Sequence, residues 1–361
     1  MAGRPPMTLG RYLATLFLTR FVMVLAAFTS LVQLLELLDQ ASTLLERKNG
    51  ITDLAIYAGL RLPIQVEKLM PLAVLLAAVI SLASLARNNE IIAMRSLGIT
   101  LYRLFAILMS AAVLLAGVQF VLGTRVVPAA ERALIDWLAE PADDATSSPD
   151  GRSVWLHSGP TVVSVTAVSG DGRRLDGIRI FQRTEAMQID TWISAGEAIF
   201  AGDHWTLTDV QYYEGERPRA NGVAIPRDVW STTLTPVDVI AVVRPAESLP
   251  ADQLRRIVEG GWSGAHSGAY YRVRLARIYT NPAGCIIMVL LALPAAAGLP
   301  RRGTLGRGLG LAIVLGLGYL LADGIIVSVG EAGGLTPGLA AWSVPMIFAC
   351  IGGTLLLNIE D

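Results

Sequence analysis

The chain has 361 residues, of which 53% are hydrophobic and only 16% are charged, and its formal net charge at pH 7 is -1. Soluble domains carry about 25% charged residues, so this balance, with a mean hydropathy of +0.52, predicts a protein that lies largely in lipid. A nucleic-acid partner is excluded, because the chain has no excess of basic residues to neutralise phosphates.

Six stretches with little charge are each long enough to cross a bilayer, which takes roughly 20 apolar residues. They cover residues 16–35, 69–86, 104–123, 282–299, 308–330 and 338–357. The first contains Arg20, which can extend towards the headgroups, and the fifth contains Asp323. The first stretch stays apolar to Leu38 and five more follow, so we expect a membrane helix there rather than a cleaved signal peptide.

Arginines are concentrated on one side of these spans. They begin the first span, separate the second from the third, and separate the fourth from the fifth: Arg4, Arg11, Arg20, Arg87, Arg95, Arg103, Arg301, Arg302 and Arg307. The loop after the first span holds Arg47, Lys48 and Arg61, and residues 330–338 hold none. By the positive-inside rule, both termini face the cytoplasm.

Residues 125–280 have the composition of a water-exposed domain inserted between the third and fourth spans. After a helical stretch, VVPAAERALIDWLAE, come short segments rich in β-branched and aromatic residues: SVWLHS, TVVSVTAV, GIRIFQR, EAIFAG, HWTLTDVQYY and DVWSTTL. Turn signals near Gly170 and Gly202 separate them, which predicts one antiparallel sandwich or roll.

The insert ends in an amphipathic segment, LPADQLRRIVEGG, which predicts a short helix. Leu254, Ile257 and Val258 share one face, and Asp252 favours the helix start. Tyrosines and arginines then lead into the fourth span, either as an interfacial anchor or as a plain headgroup belt: Tyr270, Tyr271, Tyr279, Arg272, Arg274 and Arg277.

No catalytic or metal-binding constellation is evident. The histidines, His157, His204 and His266, all lie in the insert without metal-ligand spacing, and Cys285 and Cys350 fall in apolar stretches. A G-x-x-x-x-G-K-[ST] phosphate loop is absent, so any energy from nucleotide must come from a partner.

The loop after the second span, ARNNEIIAMRSLGITLYRL, predicts a short helix that ends at Gly98. Its apolar residues include Ile91, Ile92, Met94 and Leu97. A helix of this kind on the inner membrane surface suits a coupling helix that enters a groove of an ATPase subunit. A plain interfacial helix is the alternative.

Several segments together carry a family resemblance over nearly the whole chain. They are L-P at Leu62, M-P at Met70, LLAAVISLASLARNNEIIAMRSLGIT, TTLTP at 232–236, NPAG at the fourth span, ALPAAAG at 292–298 and LTPGLAAW at 335–342. In these segments the chain resembles the LptF/LptG lipopolysaccharide export permeases. EIIAMRSLGIT and TTLTP favour the LptG branch over the LptF branch.

The resemblance implies an α-helical membrane protein of six transmembrane helices, three before and three after an inserted periplasmic all-β domain like a β-jellyroll. The expected domains are residues 1–123, with the coupling helix at about 88–98, then 124–280 and 281–361. The chain would sit in the bacterial inner membrane and pair with a homologous LptF permease. A cytoplasmic LptB-type ATPase dimer would use ATP and Mg²⁺, and this chain would bind no cofactor.

The resemblance also implies a route for the substrate. Lipopolysaccharide would enter between spans one and five of opposite subunits, then pass to the β-jellyroll and along LptC and LptA. By position, the ATPase contact would be formed by Glu90, Ile91, Ala93, Met94, Arg95, Leu97 and Gly98, with Glu90 as its polar anchor.

Polar groups at membrane depth are candidates for lipid binding, because each ionised one costs about 2.5 to 3.5 kcal/mol on insertion scales. The candidates are Gln33, Glu36, Asp39, Arg61, Lys68, Arg125, Arg132 and Asp323. Lys68, Arg61, Arg125 and Arg132 are expected to gather at the outer rim and attract lipid A phosphates. Alternatively these groups form structural ion pairs, with Lys68 joined to Asp39 or Asp323. Related permeases can carry a lysine where this chain has Gln33.

Other functions remain open at this point. The chain could be an LptF-type paralogue, or a permease for another lipid or lipoprotein. A mechanotransmission permease inserts its periplasmic domain after the first span, whereas here the insert follows the third. An intramembrane hydrolase would need a nucleophile and base, which Glu67, Lys68 and Asp323 do not form. A sensor or scaffold would bind no ATPase.

Overall fold

The computed structural model describes residues 9–45, 51–139, 153–158, 160–169, 172–183, 189–214, 217–218, 225–243, 249–259, 262, 264, 266–292 and 304–357. The chain divides into two compact units. We call Met1–Leu134 with Ala276–Asp361 the helical unit, and Ile135–Leu275 the sheet unit.

The long helices, the strands of the insert and the return helix come in the predicted order. The helices are α1 (Leu9–Leu45), α2 (Ile51–Arg87), α3 (Glu90–Ser96), α4 (Leu101–Val121), a π-helical turn (Leu122–Val126), α5 (Val127–Ala139), α6 (Pro236–Val243), α7 (Ala251–Val258), α8 (Gly268–Leu291), α9 (Thr304–Glu331) and α10 (Pro337–Leu357). The strands are β1 (Val154–Ser158), β2 (Thr161–Val165), β3 (Ala167–Val168), β4 (Arg174–Arg183), β5 (Ile189–Phe200), β6 (Trp205–Glu214), β7 (Arg217–Pro218) and β8 (Ile225–Trp230). The separate strands β3 and β7 and the helix α6 were not predicted.

Five helical segments are long and apolar enough to cross a membrane. They are Leu9–Ala41, Ile51–Arg87, Tyr102–Ile135, Gly308–Glu331 and Pro337–Leu357. These segments coincide with the predicted first, second, third, fifth and sixth spans. The predicted fourth span begins in α8, but residues 293–299 lie outside the described residues. A sixth span therefore stays a prediction.

The core of the helical unit is almost wholly apolar and draws on helices from both ends of the chain. Its buried side chains include Phe17 of α1, Leu75 of α2, Leu108 of α4 and Met288 of α8. Gly316 of α9 packs directly on Leu75, where an added Cβ would lie 2.1 Å from Leu75 Cδ2. Small residues permit this kind of close approach between membrane helices.

The sheet unit contains one eight-stranded antiparallel sheet within the described residues, in the order β1-β2-β4-β5-β6-β7, with β3 on β4 and β8 on β6. Alternate side chains along the strands, such as Leu156, Val163, Ile180 and Leu207, fill a core on one face. The predicted antiparallel β insert is confirmed, while the jellyroll arrangement stays a prediction. The return helix is confirmed as α7, with Leu254 and Ile257 buried.

One predicted strand is partly wrong. DVWSTTL was expected to be extended throughout, but β8 ends at Trp230 and a helix, α6, follows. The cause is an N-capping arrangement around Pro236, which suits the first position of a helix. Thr235 Oγ1 donates to Asp238 Oδ2 at 2.6 Å, and the Asp238 N–H donates back to Thr235 Oγ1 at 3.4 Å.

The segment before α6 closes the core of the sheet unit. The buried indole of Trp205 donates to the Leu234 carbonyl at 2.8 Å, and Trp262 Nε1 donates to Thr233 Oγ1 at 3.2 Å. These bonds hold residues 231–235 over the core face of the sheet instead of extending β8. The TTLTP segment therefore has a structural role in this unit.

The opposite face of the sheet carries a row of stacked aromatic rings. Trp155, Phe181, Trp192 and Tyr213 come from β1, β4, β5 and β6 and stack with ring-centroid distances of 6.0, 5.7 and 3.8 Å in succession. Cross-strand aromatic pairs stabilise antiparallel sheets. The row therefore fixes the register of these strands from the side that faces away from the core.

Candidate functional site

The predicted coupling segment forms a compact turn and helix. Asn89, at the N-terminus of α3, has φ 55, and Asn is one of the few residues that tolerate this left-handed conformation. Gly98 has φ 78 and its N–H bonds the Arg95 carbonyl at 2.9 Å, which ends the helix as predicted. The sharp entry and exit leave α3 as a short helix between two long ones.

The two faces of α3 are very different. Ile91 and Met94 are buried in the core of the helical unit, with 1% and 9% of their surface exposed. Ile92 and Leu97 are exposed, Leu97 by 78%. Ala93, Arg95 and Gly98 are exposed too. Of the seven residues expected at an ATPase contact, Ile91 and Met94 instead anchor α3 to its own unit.

The carboxylate of Glu90 is held by two donors. Tyr12 Oη donates to Glu90 Oε2 at 3.1 Å, and Asn88 Nδ2 donates to Glu90 Oε1 at 3.3 Å. Tyr12 lies in the first turn of α1, so this contact joins the predicted polar anchor to the first long helix. Nothing in the sequence pattern places Tyr12 beside residue 90, so this contact was not predicted.

A polar cluster joins α1 to α2 at the predicted lipid-binding residues. Glu36 accepts hydrogen bonds from Tyr57, Arg61 and Gln65, and Arg61 Nη1 also lies 3.8 Å from Glu131 Oε1. Arg61 therefore has two carboxylate partners, and its charge is neutralised within the chain. The alternative of structural ion pairing holds for Arg61.

The remaining lipid-binding candidates do not form one constellation. Gln33 Nε2 donates to the Ala58 carbonyl at 3.4 Å, Asp39 accepts from Gln40 at 3.3 Å, and Arg132 Nε donates to the Pro128 carbonyl at 3.0 Å. Lys68 and Arg125 are exposed and make no hydrogen bond or ion pair in the described part of the chain.

The alternative in which Lys68 pairs with Asp323 is wrong. Asp323 of α9 pairs with Arg277 of α8, with Arg277 Nη1 2.9 Å from Asp323 Oδ2, and both side chains are mostly buried. The sequence suggested an interfacial role for Arg277. The structure instead uses it to neutralise a carboxylate at membrane depth, where an unpaired charge is costly.

A second polar contact lies at the proline bend of α2. Pro71 has no N–H and therefore leaves the Glu67 carbonyl without its helical donor. Gln119 Nε2 of α4 donates to that carbonyl at 3.3 Å, and Cys285 Sγ of α8 lies 3.0 Å from Gln119 Oε1. Asn281 Nδ2 contacts the Glu67 carboxylate at 3.4 Å. Three helices thus meet at Pro71.

No group of three or more His, Cys, Asp or Glu residues that could hold a metal ion occurs among the residues with described positions. The polar contacts instead join one helix to another. Arg20 Nη1 follows the same pattern by donating to the Ile80 carbonyl at 2.8 Å. These contacts stabilise the packing of the helices against one another.

Comparison with known proteins agrees with this architecture. The model of the family "Lipopolysaccharide export system permease LptF/LptG" matches residues 11–358. The LptG permease protein of Escherichia coli K12 is 24% identical over 353 residues, covering 97% of this chain and 98% of that protein. The LptG of Haemophilus influenzae is 24% identical over 351 residues, covering 97% and 95%. The chain therefore belongs to the LptF/LptG family of lipopolysaccharide export system permeases.

Proposed function

We propose that this chain is the LptG-type permease subunit of an ABC transporter that extracts lipopolysaccharide from the bacterial inner membrane. The family match over residues 11–358 carries the proposal. The LptG proteins of Escherichia coli and Haemophilus influenzae are matched over nearly their whole length, which favours the LptG branch. Six spans, cytoplasmic termini and a periplasmic jellyroll-like domain belong to the same proposal, with domain boundaries near residues 123 and 280.

ATP hydrolysis takes place in a separate subunit under this proposal. An LptB-type ATPase dimer uses ATP and Mg²⁺, and a groove on it receives the outer face of α3. Two observations support this docking. Ile92 and Leu97 are exposed, and Ile91 and Met94 are buried in the core of the helical unit. A helix that is buried on one face and exposes apolar side chains on another can dock in a groove of a partner.

The other partners follow from the family. A homologous LptF permease completes the transmembrane channel, and LptC and LptA receive the lipid on the periplasmic side. Lipopolysaccharide enters beside the first and fifth spans. The apolar outer surface of α1, which includes Val22, Met23 and Leu34, supports a lipid- or partner-facing position for this helix.

A detergent pull-down tests the function. The tagged chain should copurify with an ATPase subunit and with a second permease. Leu97→Glu places a charge at an exposed apolar side chain directly after α3 and should abolish the ATPase band. Leu339→Glu is the matched control, because Leu339 is also exposed, by 59%, but lies at the start of α10. Equal ATPase recovery from both variants contradicts the docking surface.

Lys68 and Arg125 are the residues we propose for lipid phosphates. Arg61 is left out because Glu36 and Glu131 already neutralise it. Lys68→Glu with Arg125→Glu should abolish photo-crosslinking of lipopolysaccharide to the permease pair before ATP is added. Arg87→Glu with Arg103→Glu changes the net charge equally, at the C-terminus of α2 and the N-terminus of α4, and should leave crosslinking intact. Undiminished crosslinking in the first variant rejects the site.

A further inference from the structure

A long-range contact in the helical unit joins α1 to α3. Tyr12 and Glu90 are 78 positions apart in sequence, yet the Tyr12 hydroxyl donates to Glu90 Oε2 at 3.1 Å. The other carboxylate oxygen accepts from Asn88 at 3.3 Å. Both oxygens of Glu90 are therefore oriented by this chain before any partner binds.

From this geometry we infer that Tyr12 is a positioning residue that orients Glu90 for the ATPase and links the coupling helix to the first transmembrane helix. The inference rests on the proposed function, in which Glu90 is the polar anchor of the ATPase contact. Tyr12 itself does not need to touch the ATPase. Its hydroxyl fixes where the carboxylate points.

Packing around the contact supports a mechanical link. Leu13 and Phe17, one residue and five residues beyond Tyr12 on α1, belong to the same buried cluster as Ile91 and Met94 of α3. Apolar packing in this cluster has no direction of its own, so it does not set where the Glu90 carboxylate points. A directional bond from a hydroxyl to a carboxylate supplies that restraint, because hydrogen bonds weaken steeply when they bend.

Towards its C-terminus, α1 makes a second polar contact, this time with α2. Glu36 on the same helix accepts hydrogen bonds from Tyr57, Arg61 and Gln65 of α2. A displacement of Glu90 is therefore passed to α1 at Tyr12 and, through the length of the helix, to the polar cluster at Glu36. Without the Tyr12 hydroxyl, α3 could move without carrying α1.

Tyr12→Phe removes the hydroxyl and leaves the ring in place. In the complex of both permeases and the ATPase reconstituted in nanodiscs, we expect lipopolysaccharide released per ATP hydrolysed to fall about five-fold, the equivalent of one hydrogen bond at a partly exposed site. Copurification with the ATPase and thermal stability should stay at wild-type levels. Tyr102→Phe is the matched control, since Tyr102 is equally exposed and bonds the Leu356 carbonyl at 3.4 Å.

A double-variant cycle separates positioning from a general structural role. Glu90→Gln keeps the shape of the acceptor but removes its charge, and bonds to charged groups are about twice as strong as neutral ones. In the Glu90→Gln background, Tyr12→Phe should lower the lipopolysaccharide released per ATP hydrolysed only about two-fold. An undiminished five-fold loss, or wild-type coupling in Tyr12→Phe alone, overturns the inference.

The failure of this inference can be told apart from failure of the proposed function. If the wild-type chain recovers no ATPase in the pull-down, the proposed function is wrong. If the ATPase binds normally and Tyr12→Phe transports lipid with unchanged stoichiometry, only the role of Tyr12 is wrong.

Discussion

Gln119→Leu tests the idea that a side chain replaces the hydrogen bond that proline removes from α2. Gln119 is 2% exposed and its Nε2 lies 3.3 Å from the Glu67 carbonyl. Leucine has a similar volume but no donor, so the carbonyl would be left buried and unpaired. That loss should lower the free energy of unfolding by about 2 kcal/mol. Cys285 loses its acceptor as well, which adds little because a thiol is a weak donor.

Pro71→Ala decides whether this reasoning is correct. Alanine restores an N–H at position 71 that can bond the Glu67 carbonyl within α2, so Gln119 is no longer needed there. In the Pro71→Ala background, Gln119→Leu should therefore cost about 0.5 kcal/mol or less. The assay is reversible chemical unfolding of the full chain in detergent micelles, with all four members of the cycle measured together.

Gln33→Leu is the control for removing a buried amide. Gln33 also donates to a main-chain carbonyl, that of Ala58, but Leu62 can supply the helical N–H there, and Gln33 Oε1 is buried without a partner. The variant should be neutral or slightly stabilising. An equal cost of Gln119→Leu with and without Pro71 would refute the proposed role of Gln119.

Variants of Gly316, Asn89 and Trp205, two of them with a control, test packing and backbone geometry by the same unfolding assay. Gly316→Ala forces a Cβ to within 2.1 Å of Leu75 Cδ2 and should cost about 1–3 kcal/mol, whereas Gly310→Ala, with nothing within 4 Å, should not destabilise. Asn89 has φ 55, so Asn89→Ala should lower the free energy of unfolding by about 1 kcal/mol. Asn89→Gly should not lower it, because glycine adopts this conformation without strain. Trp205→Phe removes the donor to the Leu234 carbonyl and should lower the free energy of unfolding of the sheet unit by about 1–3 kcal/mol. A loss below about 0.5 kcal/mol would contradict this.

Hydropathy and glycine signals predicted much of the fold, because they depend on local composition. Five membrane helices, the end of α3 at Gly98 and the return helix with Leu254 and Ile257 buried all agree with the sequence analysis. Strand prediction failed at residues 231–234, where β-branched threonines suggested extension. Contacts from Trp205 and Trp262 decide the conformation there, and such contacts are not visible in a local pattern.

Partners of the charged residues were the least predictable feature. The sequence left Asp39 and Asp323 open as alternative partners of Lys68. The structure selects Arg277 for Asp323 and Glu36 for Arg61, since the rotation of each helix decides which residues face each other. Tyr12 and Gln119 were missed for the same reason. Their roles depend on which residue lies opposite them on a neighbouring helix.

The length of α2 changes the energetic setting of the Glu36–Arg61 pair. With 37 residues, α2 is about 55 Å long, well beyond the roughly 30 Å of hydrocarbon that it has to cross. If Arg87 marks the inner headgroups, Arg61 lies about 39 Å further along the helix axis. Water and counter-ions then reach this pair. The strength of this pair should respond to ionic strength, whereas the less exposed Arg277–Asp323 pair should respond less to salt.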